Sequence, residues 1–257
     1  MSRMPSIRLN IIDPEVLVQL MLSKITLLAL CLTFFYKATA AVAVDLNIVT
    51  ELSPPHQLWE NNNVAGPATD TVKAFIAKTG LTADYDIYPW ARAYNKAVKE
   101  PDTLIYSIAK TTERVDLFHW LIPVVEYKFG FVALSSNKPM DLSTIEQISK
   151  YIIAVQRNDY AHDWMLSQGL EEGKNFMICA DIDCSWNLLL NKNIDLIIDS
   201  RQFIDDMLKR FNKPKDYVYL VKDLPELSTT GYLAAGKNIA PEKLLKLQSA
   251  FKSVVQN

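Results

Sequence analysis

Short β-type segments alternate with helical segments of about ten residues along most of this chain. The first such strands are Leu46–Thr50 and Ala83–Ile87, and each is followed by a helical segment, at 69–78 and 89–99. Repetition of strand, helix and strand is typical of a mostly parallel sheet in an α/β domain. The pattern therefore predicts an α/β fold.

The alternation restarts after the β-type run 127–134 and a break at Asn137-Lys138-Pro139. Further strands are predicted at 103–108, 152–155, 176–179, 196–198, 217–221 and 231–235, and further helices at 143–149, 159–167, 185–190, 202–211 and 241–255. We therefore expect two α/β units in one chain.

The first 40 residues are predicted to be an export signal. Residues 25–36 (ITLLALCLTFFY) are an apolar run of 12 residues, too short to cross a hydrocarbon core of ~30 Å at 1.5 Å per residue. Lys24 precedes this run, and Ala38-Thr39-Ala40 follows it as a site for signal peptidase. The sequence thus predicts a periplasmic protein.

Two alternatives concern the same segment. Met21 begins a compact positive region, so residues 1–20 are a candidate over-called start. Leu28-Ala29-Leu30-Cys31 is similar to a lipoprotein signal, but Leu30 is bulky where a small residue is expected. We therefore expect cleavage rather than lipid anchoring.

The charge of the chain argues against one class of ligand, and its cysteines suggest a disulfide. Removing residues 1–40 takes away four basic and two acidic residues, so the net charge falls from −2 to −4. No basic stripe is present for a phosphate backbone, which argues against nucleic-acid binding. Cys179 and Cys184 remain after cleavage. An exported protein enters an oxidising compartment, where these two residues can form a disulfide; two buried thiols are the alternative.

Three motifs resemble the type II periplasmic solute-binding proteins, specifically solute-binding family 3, in a divergent form with the Pro-Trp-x-Arg-Ala segment 89–93. They are SIAKTTERVDLF at 107–118, NIDLIID at 193–199 and LAAGKN at 233–238. The resemblance implies two lobes around a ligand cleft. It places 41–133 with 228–257 in lobe 1 and 134–227 in lobe 2.

The same resemblance assigns Arg114 to a ligand α-carboxylate, with help from Ser107 and Thr111. A guanidinium stays charged and can hold a carboxylate through two parallel hydrogen bonds. Ala109 stands where many members carry Ser or Thr, which removes one hydroxyl. The alternative for Arg114 is a surface ion pair with a neighbouring acid, Glu113 or Asp116.

Asp199 follows a strand of the other unit, and the family uses this position for an α-ammonium. The alternative is that Asp199 caps the helix that begins near Gln202. In the loop 156–159, Arg157 and Asn158 stand where the family has Gly and Ser or Thr, so the ligand is more anionic or is contacted differently.

Two aromatic positions complete the candidate ligand site. His56 replaces the Phe of the common Pro-Phe pair, and Trp90 is either a wall of the cleft or part of the core of lobe 1. Together these residues predict capture of a small polar solute, an amino acid or related carboxylate, by lobe closure for an ABC importer.

Two further functions stay open. The same fold can serve as the ligand-sensing partner of a membrane receptor, or as a cyclohexadienyl-dehydratase-like enzyme with Glu51, Asp199 or Glu126 as general acid. The three histidines have no metal-ligand spacing, and no nucleotide or hydrolase motif occurs. We therefore expect a monomeric binding protein with no catalytic residue, metal or cofactor.

Overall fold

The structure is a computed structural model that describes residue 15 and residues 44–255. The predicted export signal, its cleavage site, Met21 and Cys31 lie outside the described residues. No helix of the described part is long and apolar enough to cross a membrane.

The described chain contains twelve strands and seven α-helices. The strands are β1 (Leu46–Thr50), β2 (Leu58–Glu60), β3 (Asn63–Ala65), β4 (Ala83–Ile87), β5 (Thr103–Ala109), β6 (Phe118–Tyr127), β7 (Phe129–Leu134), β8 (Ile153–Gln156), β9 (Phe176–Cys179), β10 (Leu196–Ser200), β11 (Val218–Asp223) and β12 (Thr229–Gly236). The helices are α1 (Pro67–Ala77), α2 (Trp90–Lys99), α3 (Ile145–Ile148), α4 (Tyr160–Ser167), α5 (Ile182–Leu190), α6 (Ile204–Arg210) and α7 (Pro241–Val255).

Ten of the strands form two five-stranded sheets, with the orders β4-β1-β5-β12-β6 and β11-β7-β10-β8-β9. In the first sheet only β12 runs against the other four strands, and in the second only β7 does so. Both sheets are therefore mostly parallel and flanked by helices, which confirms the predicted fold class.

Each sheet is buried on both faces, as expected for parallel strands covered by helices. In β5, Leu104 and Tyr106 pack into the cluster formed with α1 and α7, while Ile105 packs on the opposite face with Trp90 and Ala97 of α2. The second sheet likewise separates two apolar clusters.

The chain crosses between the sheets at Lys128, between β6 and β7, and again at residues 224–228, between β11 and β12. The predicted boundary placed residues 129–133 in lobe 1, whereas β7 pairs with β10 and β11 of the second sheet. Lys128 carries no turn signal, so the run 127–134 looks continuous in the sequence. Gly130 suits the observed packing, because an added Cβ would lie 2.5 Å from Leu220 and 2.8 Å from the Lys222 carbonyl oxygen.

Strand β6 has no counterpart among the predicted elements. It contains Pro123, which lacks the N–H that a strand inside a sheet must donate. The structure places β6 at the edge of the first sheet, where one side of the strand needs no partner.

The hairpin of β2 and β3 was also not predicted. Its turn residues Asn61 and Asn62 both have positive φ, as a two-residue hairpin loop requires.

Cys179, at the end of β9, is joined to Cys184 of α5 by a disulfide, with a Cα–Cα distance of 5.6 Å. Of the two alternatives left open by the sequence, the structure therefore has the bonded pair. The bond connects the edge strand of the second sheet to the helix that follows it.

We predict that the double variant Cys179→Ala/Cys184→Ala unfolds with a free energy about 2 kcal/mol below that of the wild type, because a closed loop of this length restricts the unfolded chain by about that amount. Urea unfolding measures the difference. Dithiothreitol should lower the stability of the wild type and leave the variant unchanged; equal sensitivity of both proteins would contradict the pairing.

Candidate functional site

A cleft with an empty volume of about 600 Å³, including the part open to solvent, lies between the two sheets. Its lining residues come from both sides: Glu51, Leu52, Ser53, Trp90, Ser107, Ala109, Arg114, Tyr127 and Thr229 from the part that holds the first sheet, and Phe129, Gln156, Asp159, Tyr160, Ile182, Ile198 and Asp199 from the part that holds the second.

The polar lining residues sit where strands end. Glu51 directly follows β1 and Ser107 lies near the end of β5, while Gln156 and Asp199 lie in the last two residues of β8 and β10. Open α/β sheets bind ligands outside the carboxyl ends of their strands, and these ends face one cavity. The fold thus gathers polar groups from both sheets at the position where a ligand is expected.

Arg114 is only 4% exposed and lies in the cleft wall. Its guanidinium carbon is 5.3 Å from the ring centre of Trp90 and 5.4 Å from that of Tyr94, within range of cation–π attraction. Its Nη2 donates to the Asn158 carbonyl oxygen and to Asp163 Oδ2, each at 3.3 Å. The ion pair is therefore with Asp163 of α4, not with Glu113 or Asp116.

Trp90 has both of the roles considered from the sequence. It is the first residue of α2, is 3% exposed and packs in the core with Val49, Ile105 and Phe118, and it also lines the cleft. Its Nε1 donates to the Asn158 carbonyl oxygen at 2.6 Å, the same atom that Arg114 reaches. Asn158 has a φ of +57°, so its backbone is left-handed. Two side chains from one wall therefore converge on one carbonyl of the other wall.

Asp199 is buried and is bonded from two sides. Its Oδ2 accepts from Trp186 Nε1 at 2.7 Å and its Oδ1 from the Ser200 amide at 2.6 Å. Burial raises the pKa of Asp199 to about 6, and the two hydrogen bonds oppose that rise. Asp199 does not cap α6, whose N-cap position is Phe203 with no side-chain cap bond.

Two more carboxyl groups belong to the cleft. Burial raises the pKa of Glu51 to about 8 and that of Asp159 to about 7, and each is close enough to Arg114 for the guanidinium to oppose the rise. Asp159 caps α4 by accepting from the His162 amide at 2.6 Å. Asp159 was not among the predicted ligand-binding residues, although its place just after a predicted strand and before a predicted helix could have indicated it.

A cluster of polar side chains from both walls lies at the cleft. Ser107 has a φ of +63°, and its Oγ donates to Gln57 Oε1 at 3.1 Å. Tyr127 OH, Glu51 Oε2 and Gln156 Oε1 line the cleft, are buried and form no well-aligned hydrogen bond among the described residues, although Tyr127 lies close to Gln57, Ser53 and Ser107, and Glu51 to Gln156. Buried polar atoms are almost always paired, so incompletely paired ones around one cavity favour a polar ligand.

Four predicted residues lie outside the lining of this cleft, and one of them is Asn158, whose carbonyl oxygen nevertheless accepts from Trp90 and Arg114. Arg157 is exposed, and its amide bonds to the Cys179 carbonyl. Thr111 forms the turn before Arg114, where its carbonyl oxygen accepts from the amides of Arg114 and Val115. His56 lines a separate opening and contacts the ring of Phe203 at 4.4 Å, where burial lowers the pKa of His56.

The sequence matches no protein-family model and no curated protein. Solved structures match well in three dimensions. A histidine kinase sensor domain with similarity to periplasmic binding proteins has a TM-score of 0.69 at 13% identity, over 82% of this chain and 90% of that chain. An ancestral arginine-binding protein bound to glutamine has 0.68 at 17% identity, over 82% and 92%.

The arginine-, lysine-, histidine-binding protein ArtJ of Geobacillus stearothermophilus has a TM-score of 0.67 at 16% identity, over 82% of this chain and 90% of that chain. This chain has the fold of the periplasmic binding proteins. Identities this low establish the fold alone, so the function of this periplasmic-binding-protein fold must be argued from the residues of its own cleft.

Titration of Glu51 gives the first prediction for this cleft. The raised pKa means that the folded protein keeps a proton that the unfolded chain loses near pH 4.5, so Glu51 lowers stability as the pH rises from about 4.5 to about 8. We predict that Glu51→Gln removes up to about 1.4 kcal/mol per pH unit of this decline. Urea unfolding between pH 5 and 9 measures it.

The matched control is Glu126→Gln, which removes a carboxyl group from the exposed surface of β6. Its stability should decline with pH as steeply as that of the wild type. If Glu51→Gln follows the wild-type slope as well, then Glu51 is not buried in the way described.

Proposed function

We propose that this protein binds a small polar solute, an amino acid or a related carboxylate, in the cleft between its two lobes. The observation that carries the proposal is the group of buried polar atoms, contributed by both walls, that form no well-aligned hydrogen bond among the described residues. Hydrogen bonds to a ligand would satisfy them, and leaving such atoms unpaired costs about 1–3 kcal/mol each.

The charges of the cleft support a ligand with both a carboxylate and an ammonium group. Arg114 is the one cation among the lining residues, and it is the candidate partner for a carboxylate. Glu51, Asp159 and Asp199 are candidate partners for positive groups. Since the acids outnumber the cation, we propose that the cleft favours solutes whose net charge is zero or positive.

Contacts across the cleft support a closing motion. The Asn158 carbonyl accepts from Trp90 and Arg114 of the opposite wall, and the chain crosses between the sheets only twice within the described residues. A connection of that kind acts as a hinge, and hydrogen bonds that form only on closure stabilise the closed form. We propose that the solute is captured as the lobes close.

The destination of the bound solute has two candidates. We propose export to the periplasm and delivery to an ABC importer, and the binding proteins among the structural neighbours are consistent with a solute-binding role. The sensor-domain neighbour favours the second candidate, a ligand-sensing partner of a membrane receptor. Co-purification of the tagged protein with a permease or with a sensor protein separates the two.

An enzyme of the dehydratase type is less well supported. Burial raises the pKa of Glu51 to about 8, so this carboxyl group can hold a proton near neutral pH and act as an acid. The structural neighbours named above, however, are binding proteins and a sensor domain. Turnover of a prephenate-like substrate at high protein concentration would favour the enzyme. An absence of turnover would favour the binding protein.

A thermal-shift screen of amino acids and organic acids tests the proposal. A ligand present at 100 times its dissociation constant should add about 2.7 kcal/mol of stability. We predict that Arg114→Ala weakens binding of the best ligand about 10- to 100-fold, because hydrogen bonds to charged groups contribute about 1.5–3 kcal/mol. Calorimetric titration gives the dissociation constants.

The matched control is Arg157→Ala, which removes the same charge from the loop at the far side of the same cleft, where the side chain is exposed. Its affinity should equal that of the wild type. A loss with Arg157→Ala and none with Arg114→Ala would transfer the carboxylate site to the loop 156–159, and no binding by any compound of the screen would refute the solute-binding role.

A further inference from the structure

The contacts of Arg114 restrict how its guanidinium can hold a carboxylate. A guanidinium offers two edges for a bidentate grip, one formed by Nε with Nη2 and the other by Nη1 with Nη2. Both edges include Nη2. In this structure Nη2 is the atom that donates to the Asn158 carbonyl oxygen and to Asp163 Oδ2. A carboxylate ligand can therefore gain a bidentate grip only by displacing one of these two acceptors.

The two acceptors differ in how easily they are displaced. The Asn158 carbonyl also accepts from Trp90 Nε1 at 2.6 Å and belongs to the backbone between β8 and α4. Asp163 is a side chain in the first turn of α4 that is 55% exposed. When its carboxylate leaves Arg114 it can be solvated by water, so Asp163 is the acceptor that a ligand replaces.

Asp163 is not a lining residue of the cleft, so it acts on a ligand through residues that are. Its direct partner there is Arg114, and its charge also raises the pKa of Asp159. A carboxylate already paired with Nη2 also reduces the positive potential that an incoming carboxylate meets.

We propose that Asp163 is a specificity-determining residue of the cleft, which competes with the ligand carboxylate for Nη2 of Arg114 and so lowers the affinity for carboxylates. The inference rests on the proposed function, in which Arg114 receives the carboxylate. It adds a residue outside the cleft lining that sets how strongly the carboxylate of a solute contributes to binding.

A second role for Asp163 predicts the opposite result. If Asp163 only orients Arg114, then removing it lets the guanidinium move and weakens the binding of every carboxylate. Competition predicts that removing Asp163 strengthens carboxylates and leaves compounds without a carboxylate unchanged. The sign of the change separates the two roles.

The test compares L-arginine with agmatine, which differs from it by the missing carboxylate, on the full chain. The variants are Asp163→Asn, which keeps a neutral acceptor, and Asp163→Ala, which removes it. We expect the affinity for arginine relative to agmatine to rise about fivefold in Asp163→Ala, as an exposed ion pair of ~1 kcal/mol implies, and by a smaller factor in Asp163→Asn.

Asp116→Asn is the matched control, because Asp116 is an exposed acid two residues after Arg114 that makes no ion pair within the described residues. Its arginine-to-agmatine ratio should stay at the wild-type value. A fall of the ratio in the Asp163 variants, no change, or an equal rise in Asp116→Asn would each overturn the proposal.

Acetate provides an arm that needs no amino-acid ligand. The ¹⁵Nε–Hε resonance of Arg114, assigned by its loss in Arg114→Ala, reports on acetate binding. Saturation should need about fivefold less acetate in Asp163→Ala than in the wild type or Asp116→Asn. If arginine does not bind but acetate follows this order, arginine is not the solute and the competition stands. The same acetate requirement in all proteins overturns the competition.

Discussion

One backbone carbonyl, that of Asn158, receives two side chains from the opposite wall of the cleft. It accepts hydrogen bonds from Trp90 at 2.6 Å and from Arg114 at 3.3 Å, both of which belong to the opposite wall of the cleft. The left-handed backbone of Asn158, with φ of +57°, lies in the turn between β8 and α4. Together with the Arg114–Asp163 ion pair, this contact joins the two walls beside the buried Arg114.

Three carboxyl groups are buried where the two walls meet. Glu51, Asp159 and Asp199 come from the ends of three different strands, and burial raises the pKa of each. The Arg114 guanidinium opposes this rise for Glu51 and Asp159, and Arg114 is the one cation among the lining residues. The same physical circumstance supports a ligand with an ammonium group and leaves Arg114 to be shared between internal acceptors and a ligand carboxylate.

Much of the fold could be predicted because it is encoded locally. Strands β1, β4 and β9 and helix α7 have the bounds that their sequence patterns indicate, since the strands are short β-type runs and the helix begins at Pro241 with apolar residues at helical spacing. Strand β6 was not predicted, because Pro123 is unfavourable inside a sheet. The structure places β6 at the edge of its sheet, where a proline is tolerated. The crossover at Lys128 was not predicted either, because an extended segment can pass from one sheet to another without a Gly or Pro that would mark the change in the sequence.

The sequence by itself determined an α/β protein with strand-end polar residues, and it singled out Arg114, Ser107, Asp199 and Trp90, which the structure brings to one cleft. Strand-end position carries this information because parallel strands present their carboxyl ends at one edge. The tertiary structure alone decided that Arg157 faces solvent, that Asp159 lines the cleft and that Asp163 pairs with Arg114. These facts depend on how two lobes meet, and Arg114 lies 49 residues from Asp163 in the chain, so no local pattern could reveal that they touch.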